Sequence, residues 1–148
     1  MSAPLTSETI HASCIARDGR ALLIAGPSGS GKSDLALRLI DRGALLVSDD
    51  YTILTRVGSQ LMARAPETIK GKIEVHGLGI MNMEQVQDVP VAVLLDLAQP
   101  SVRFPLEPEY RVIADLRVPF IGFSSFEASA AIKAEMALAQ AGAQVSIL

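Results

Sequence analysis

The alternation of apolar and polar positions predicts a chain of short strands and two helices. Eight runs rich in apolar and β-branched residues are bounded by turn residues, as strands are, and they span residues 10–16, 21–25, 44–47, 51–56, 61–65, 73–76, 89–97 and 110–118. Two stretches, 34–40 and 128–141, have the apolar spacing or the alanine content of helices. Strands interleaved with helices predict an α/β fold.

The connections predict a mixed sheet. An Asp-Gly pair within residues 17–20 predicts a hairpin between the first two strands, and residues 57–60 predict a second hairpin. A helix follows the strand at 21–25, which is how parallel strands are connected. The run at 89–97 is the most apolar of all and is expected to be central and buried on both faces.

Glycine, serine and proline mark the ends of these elements. Gly43 is expected to cap the first helix at its carboxyl end, and Ser124 or Ser125 to cap the second at its start. Residues 1–8 are expected to form a loose lead-in. Three prolines within residues 99–108 argue against a long regular element there.

A glycine-rich motif lies between the strand at 21–25 and the first helix. It has the pattern Gly-x-x-x-x-Gly-Lys-Ser and consists of Gly26, Pro27, Ser28, Gly29, Ser30, Gly31, Lys32 and Ser33. Strand, glycine loop and helix are the context of a phosphate-binding P-loop, whose amides and helix N-terminus hold phosphate. Lys32 would then reach the β- and γ-phosphates and Ser33 would hold Mg²⁺. The alternative is a Gly/Ser-rich surface turn.

Several acidic and histidine side chains are candidates for chemistry. Asp49 and Asp50 follow the strand at 44–47 and are expected near the phosphates, pointing to opposite sides of an extended chain and therefore serving different purposes. One carboxylate would bind the metal or orient neighbouring groups, and the other would act as a base. Alternatively, one of them would only cap a turn. His11, on the neighbouring strand, could be catalytic or merely structural.

Glu74 stands in an apolar stretch before two closely spaced glycines, where a carboxylate needs a cation or a hydrogen-bond donor. His76 would share a strand face with Glu74, and it could equally be a partly exposed neighbour.

Composition narrows the class of protein. The 148 residues are expected to form one domain, 1–148. The net charge of −3 and the lack of a Lys/Arg run argue against a nucleic-acid partner.

The single cysteine, Cys14, is expected to be a buried apolar side chain in a reducing compartment. No signal peptide or membrane span is expected, so the prediction is a cytoplasmic protein.

Three motifs together resemble the HPr kinase/phosphorylase family, in particular its short alphaproteobacterial type that lacks the N-terminal regulatory domain. These are residues 26–33, 46–50 and 73–82, and the similarity covers roughly residues 8–125. The resemblance implies a P-loop α/β core like that of phosphoenolpyruvate carboxykinase, usually hexameric. It implies an enzyme that uses ATP and Mg²⁺ to phosphorylate a serine of the phosphocarrier protein HPr.

The resemblance also assigns roles to residues. His11 matches the family's catalytic histidine, Asp50 its base and Asp49 the supporting carboxylate. Lys32 matches the phosphate-binding lysine, and Ser33 and Glu74 match magnesium ligands.

Two stretches depart from the family's pattern. Residues 83–105 are too short to hold the segment with the family's catalytic arginine, and Arg103 is a candidate substitute only by its place in the sequence. Residues 105–111 match a loop linked to dephosphorylation but carry glutamates where positive charge is expected. An acidic loop would not steady inorganic phosphate, so this stretch argues against the reverse reaction, phosphorolysis.

The predicted function is therefore an ATP-dependent serine kinase acting on HPr or a paralogous phosphocarrier, with reverse phosphorolysis left open, in a homo-oligomer that could be a hexamer. The alternatives are a P-loop kinase for a small molecule, a non-catalytic nucleotide-binding sensor and an ordinary ATPase.

Overall fold

A computed structural model describes residues 6–104, 107–141 and 146–147. The helices are α1 (Lys32–Asp41) and α2 (Ala130–Ala141), and one 3₁₀ turn spans Glu67–Ile69. The strands are β1 (Ser7–Ile10), β2 (Ala12–Arg17), β3 (Arg20–Ala25), β4 (Leu45–Ser48), β5 (Thr52–Val57), β6 (Gln60–Arg64), β7 (Lys72–Val75), β8 (Gly79–Asn82), β9 (Val89–Asp96), β10 (Glu109–Ile113), β11 (Leu116–Gly122) and β12 (Ser146–Ile147).

Ten of the described strands form one mixed, curled sheet. Its main path runs β1-β5-β6-β9-β3-β2-β4, and β10 and β12 join through β11. Strand β9 pairs in parallel with β3 along one side, and on the other side with β6 near its start and with β11 near its end. The predicted mixed sheet and the central place of β9 are confirmed, since β9 pairs on both sides and seven of its eight residues are buried.

The apolar core has two parts, one on each face of the central strands. Successive side chains of a strand point to opposite faces, so Leu23 of β3 belongs to one part while Leu22 and Ile24 belong to the other. Both helices cover the second part, through Leu35 and Leu39 of α1 and the alanine-lined face of α2. The first part is enclosed by the curl of the sheet itself, because β5, β6 and the β10–β11 hairpin pack against it.

Gly43 caps the carboxyl end of helix α1, as predicted from the sequence. The amides of Gly43 and Ala44 bond to the carbonyls of Ile40 and Leu39, at 3.0 Å each, and Gly43 has φ 110°. This pair of bonds is a Schellman motif, which needs a residue of positive φ at the position of Gly43. The helix therefore stops where its last carbonyls are satisfied by the chain that leaves it.

Three predictions for strands are wrong in part. The run 10–16 is interrupted at His11, so that β1 pairs with β5 while β2 pairs with β3 and β4. The lead-in is shorter than expected, since β1 begins at Ser7. The run 110–118 is a hairpin rather than one strand, because the chain reverses at Ala114 and Asp115, both with positive φ.

The hairpin turn had no sequence signal because a tertiary contact holds it. Neither residue of the turn is Gly or Asn, the types that take positive φ most readily. The backbone N–H of Ala114 donates to Glu8 Oε2 at 3.1 Å, across more than 100 residues of sequence. Only the folded chain brings this acceptor to the turn.

Helix α2 begins at Ala130, later than predicted. Ser125 does not cap it: its hydroxyl is buried and donates to the Ser30 carbonyl at 2.7 Å. Among the described residues, neither helix is long and apolar enough to cross a membrane.

Candidate functional site

The glycine-rich loop, residues 26–31, connects the end of β3 to the start of α1. Gly29 and Gly31 have φ of 83° and 94°, values that residues with a Cβ rarely adopt. A Cβ on Gly31 would also collide with the Ser125 hydroxyl. Within the described chain no side chain caps the start of α1, where Gly31 is the N-cap. The first N–H groups of α1 thus remain available to an anion.

A cavity of about 450 Å³ opens beside this loop. Its lining brings together the loop, the first two turns of α1, the second residue after β4 and the end of β7: Ser28, Gly29, Gly31, Lys32, Ser33, Asp34, Leu37, Asp50, Glu74, Val75 and His76. Most of these are polar or charged. The cavity therefore suits a charged ligand rather than an apolar one.

Lys32 is the buried cation of the cavity. Its side chain is only 5% exposed, and Nζ donates to the Pro27 carbonyl at 3.2 Å. Nζ also lies 3.6 Å from Asp50 Oδ1. A buried ammonium held by one carbonyl and one half-exposed carboxylate is placed to receive a further anion at the loop.

Asp49 is a buried carboxylate that ties several elements together. Its Oδ1 atom accepts hydrogen bonds from the hydroxyls of Ser13 at 3.0 Å and Ser33 at 2.6 Å, and its Oδ2 accepts the Glu74 backbone N–H at 3.0 Å. The Ser13 hydroxyl accepts the Asp50 backbone N–H at 3.0 Å. Because Ser33 gives its proton to Asp49, the lone pairs of the Ser33 oxygen remain free to bind a cation.

Asp50 differs from its neighbour in exposure and in partners. Its side chain is 49% exposed, and Oδ1 lies 2.7 Å from His11 Nε2 as well as within ion-pair distance of Lys32. A carboxylate only accepts hydrogen bonds, so Nε2 is the donor. The His11 ring stacks on Tyr51, with centroids 5.0 Å apart and planes at 19°. The imidazole is thereby fixed at its face and at Nε2.

Asp49 and Asp50 have different surroundings, but not because the chain is extended. Asp50 has φ 66°, the left-handed conformation, which turns the chain sharply between β4 and β5. One carboxylate is therefore buried beneath the cavity and the other borders it.

Glu74 and His76 reach the same cavity from the β7–β8 hairpin. Strand β7 pairs only with β8 in the described chain, and the Glu74 N–H bond to Asp49 fastens this hairpin to the site. The Glu74 side chain is exposed. Its carboxylate and the Ser33 hydroxyl offer the oxygen donors that Mg²⁺ prefers. The described residues contain no cluster of three or more His, Cys, Asp or Glu that could hold a metal ion.

Of the predicted candidates, Lys32, Ser33, Asp50 and Glu74 line this cavity. His11 and Asp49 join them through hydrogen bonds, His11 to Asp50 and Asp49 to Ser33 and the Glu74 N–H. Sequence analysis missed Ser13 and Tyr51. Ser13 is a polar residue within the apolar β2 strand, a signal that could have drawn attention to it. Tyr51 had no such signal, since its role depends on where His11 lies.

The arginine candidate is not at this cavity. Arg103 lies over the ring of its neighbour Phe104, at 5.7 Å, and is absent from the described residues that line the site. Residues 105 and 106 of the acidic stretch lie outside the described residues. Its arginine, Arg111, pairs with the buried Asp96 at the end of β9.

Cys14 is fully buried in β2, as expected. Burial raises the pKa of its thiol far above the ordinary value. The neutral thiol is a poor nucleophile, so Cys14 is a packing residue.

Comparisons with known proteins agree on one group. Residues 4–90 match the family model described as the HPr serine kinase C-terminal domain. A solved structure, the HPr(Ser) kinase/phosphatase from Coxiella burnetii, superposes with a TM-score of 0.77 at 31% identity, covering 90% of this chain and 95% of that one.

Curated relatives carry the name HPr kinase/phosphorylase. The protein of Brevibacillus brevis is 36% identical over 132 residues, and that of Malacoplasma penetrans is 29% identical over 126 residues. These alignments cover 80% and 76% of this chain and 42% of each relative. The chain thus spans less than half the length of these relatives.

Proposed function

The chain belongs to the family of the HPr serine kinase C-terminal domain, and we propose that it is an ATP-dependent serine kinase acting on HPr or a paralogous phosphocarrier protein. One observation carries the proposal. Asp50 Oδ1 is shared between His11 Nε2 at 2.7 Å and Lys32 Nζ at 3.6 Å, at the edge of a cavity bordered by a glycine-rich loop. This is an arrangement for removing a proton beside a bound phosphate.

We propose that the glycine-rich loop is a P-loop in a core like that of phosphoenolpyruvate carboxykinase. Its amides and the start of α1 would hold the phosphates of ATP, and Lys32 would contact the β- and γ-phosphates. Gly26 supports this role: a Cβ there would come within 2.6 Å of the Ser30 hydroxyl. Only glycine lets the loop fold this tightly.

In the kinase direction Asp50 would accept the proton of the attacking seryl hydroxyl as the oxygen approaches the γ-phosphorus. His11 holds the carboxylate in place by its 2.7 Å bond. Lys32 would stabilise the charge on the transferred phosphoryl group. Charge stabilisation and positioning are the main parts of phosphoryl-transfer catalysis.

The residues fit a magnesium ion. The Ser33 hydroxyl, already donating to Asp49 at 2.6 Å, and the exposed Glu74 carboxylate would hold it. Asp49 would then support the magnesium ion indirectly, through its hydrogen bond with Ser33. Bound Mg²⁺ would neutralise charge on the phosphates.

A labelling experiment tests the proposal. The chain is incubated with γ-labelled ATP, Mg²⁺ and the host's HPr, with an HPr whose acceptor serine is replaced by alanine as control. Label on the serine of HPr alone supports the proposal. Label on nucleosides or sugars would instead show a small-molecule kinase. Release of phosphate without an acceptor would show an ATPase. Binding of ATP without any transfer would show a sensor.

We further propose that residues 1–148 act as one catalytic domain within a cytoplasmic homo-oligomer such as a hexamer. Light scattering after size-exclusion chromatography would then give a multiple of 15.7 kDa, the mass of one chain. A mass of one chain at assay concentration would contradict the oligomer.

A further inference from the structure

A second cavity, of about 350 Å³, lies on the other side of the glycine-rich loop. It opens at the carboxyl ends of the parallel strands β3, β9 and β11. Ala25, Asp96 and Gly122 stand in one row across these strands, and the loops that follow them border the cavity. Ligands of open α/β sheets bind at this edge, and the volume is within the usual range for small-molecule sites.

The two cavities differ in charge. All nine described residues that line the second cavity are uncharged, among them Leu97, Pro100, Phe123 and Phe126. The first cavity is bordered by Lys32, Asp50 and Glu74. A ligand with a charged end and a neutral end would therefore place the charged end in the first cavity and the neutral end in the second. Burying a charged group among uncharged side chains would cost free energy.

The glycine-rich loop is the wall between the cavities. Ser30 lines the second cavity, whereas Ser28, Gly29 and Gly31 line the first. The Ser125 hydroxyl donates to the Ser30 carbonyl at 2.7 Å and so holds the second cavity against the loop. Ser30 Oγ is buried without a described hydrogen-bond partner. A ligand held by the loop can reach both cavities at once.

Phe126 stands at the rim of the second cavity with 77% of its surface exposed. Its ring edge approaches the start of α1, since a Cβ on Gly31 would lie 3.3 Å from Cε1. One ring edge thus lies near the start of α1 while most of the side chain is open to solvent. An open aromatic face beside a cavity is a surface on which a nucleic-acid base can stack.

We propose that the second cavity receives the base and ribose of the bound nucleotide, with Phe126 stacking on the base. The inference rests on the proposed function, since the phosphates are then held by the loop and Lys32. The neutral hydroxyls of Ser30, Ser124 and Ser101 and the Gln99 amide supply donors and acceptors for base edges and ribose hydroxyls.

The first experiment measures the affinity of the chain for Mg-ATP and for magnesium tripolyphosphate, which has the phosphates without the nucleoside, by titration calorimetry. In Phe126→Ala the dissociation constant for ATP is expected to rise by about tenfold or more, as stacking predicts. That for tripolyphosphate should stay unchanged. Phe126→Tyr, which keeps the ring, should retain ATP affinity.

Phe104 provides the matched control. It is a similarly exposed phenylalanine, at 72%, and does not line the cavity. Phe104→Ala should bind both ligands like the wild type. Since both side chains are exposed, neither variant is expected to lose the fold, and thermal unfolding checks this.

A second experiment uses the absence of tryptophan from the sequence. In Phe126→Trp the single indole should change its emission when ATP binds and not when tripolyphosphate binds. In Phe104→Trp neither ligand should change it.

The outcomes separate this inference from the proposed function. Unchanged ATP affinity in Phe126→Ala, or an equal loss for ATP and tripolyphosphate, overturns the base site while leaving the phosphate site intact. A wild-type chain that binds neither ligand overturns both proposals. A chain whose Phe126 variants bind ATP normally but lose HPr phosphorylation would show that the cavity receives the acceptor protein instead, which also overturns the base site.

Discussion

The backbone at Asp50 decides how the site works at the scale of single residues. Two adjacent aspartates lie in different surroundings because the left-handed φ of 66° at Asp50 turns its carboxylate to the cavity. Asp49 stays 7% exposed beneath it, with three hydrogen bonds to satisfy its oxygens. The Asp49 carboxylate is therefore buried and hydrogen-bonded, whereas the Asp50 carboxylate, 49% exposed, is accessible to a ligand.

Replacing Asp50 by asparagine tests the proposed base. Asp50→Asn removes the proton acceptor but keeps the size of the side chain, so transfer to HPr should fall by about 100-fold or more. ATP should still bind, because the change leaves the Lys32 ammonium for the phosphates. Labelled transfer and calorimetry measure the two effects.

The control for this variant is Asp88→Asn. Asp88 is an exposed aspartate with φ 57°, so the substitution repeats the same change at the same kind of backbone position. It should leave transfer unaffected. Transfer at the wild-type rate in Asp50→Asn would mean that another group is the base.

Cys14 gives a prediction for stability against pH. Burial raises the pKa of the thiol above its ordinary value of 9.0 in the folded chain, so the thiolate forms only in the unfolded chain as pH rises. Folding stability should therefore fall above about pH 9, by up to about 1.4 kcal/mol per pH unit from this group. Urea unfolding of the wild type and of Cys14→Ala between pH 7 and about 10.5 measures the slopes.

Cys14→Ala lacks the titrating thiol, so its free energy of unfolding should decline less steeply with rising pH than that of the wild type, although its core is less well filled. Equal slopes for the two proteins would show that the thiol ionises as readily in the folded chain.

At the scale of elements, α1 is delimited by two glycines of positive φ, Gly31 and Gly43. The first shapes the loop and the second ends the helix. Gly43 is surrounded by open space, since a Cβ there would meet nothing within 4 Å. Its requirement for glycine is thus purely one of backbone conformation.

Gly43→Ala should lower the free energy of unfolding by about 1–2 kcal/mol, the cost of a positive φ for a residue with a Cβ. Asp41→Ala, at the exposed last residue of the same helix, is the control and should change it by less than about 0.5 kcal/mol. Urea unfolding measures both. A harmless Gly43→Ala would contradict the assigned Schellman end.

Elements with strong local signals were predicted well. The Asp-Gly turn between β2 and β3, the helix after Ser33 and the apolar β9 strand are all present. The break at His11 and the turn at Ala114 were not predicted. Both depend on partners distant in sequence, which are β5 for the first and Glu8 for the second.

At the scale of the whole molecule, the contacts of Arg111 bear on whether the proposed kinase would also work in reverse. Arg111, the arginine of the acidic stretch, is engaged with the buried Asp96 and lies over the Phe120 ring. Its guanidinium is therefore already engaged and is not free to attract inorganic phosphate.

We therefore expect HPr labelled on serine to keep its label when inorganic phosphate is added to the chain. The measurement is a time course of label on HPr after removal of ATP, with and without phosphate. Faster loss of label with phosphate, accompanied by labelled pyrophosphate, would show that phosphorolysis operates.

The sequence by itself determined the glycine-rich loop, the helix that follows it and the nature of the candidate residues, because these depend on φ preferences and on spacing along a few residues. The tertiary structure alone decided which of Asp49 and Asp50 is buried, that Ser13 and Tyr51 support them, and that an uncharged second cavity lies behind the loop. Those features arise from contacts between β2, β4, β7 and β11, and the pairing of distant strands is a property of the folded chain as a whole.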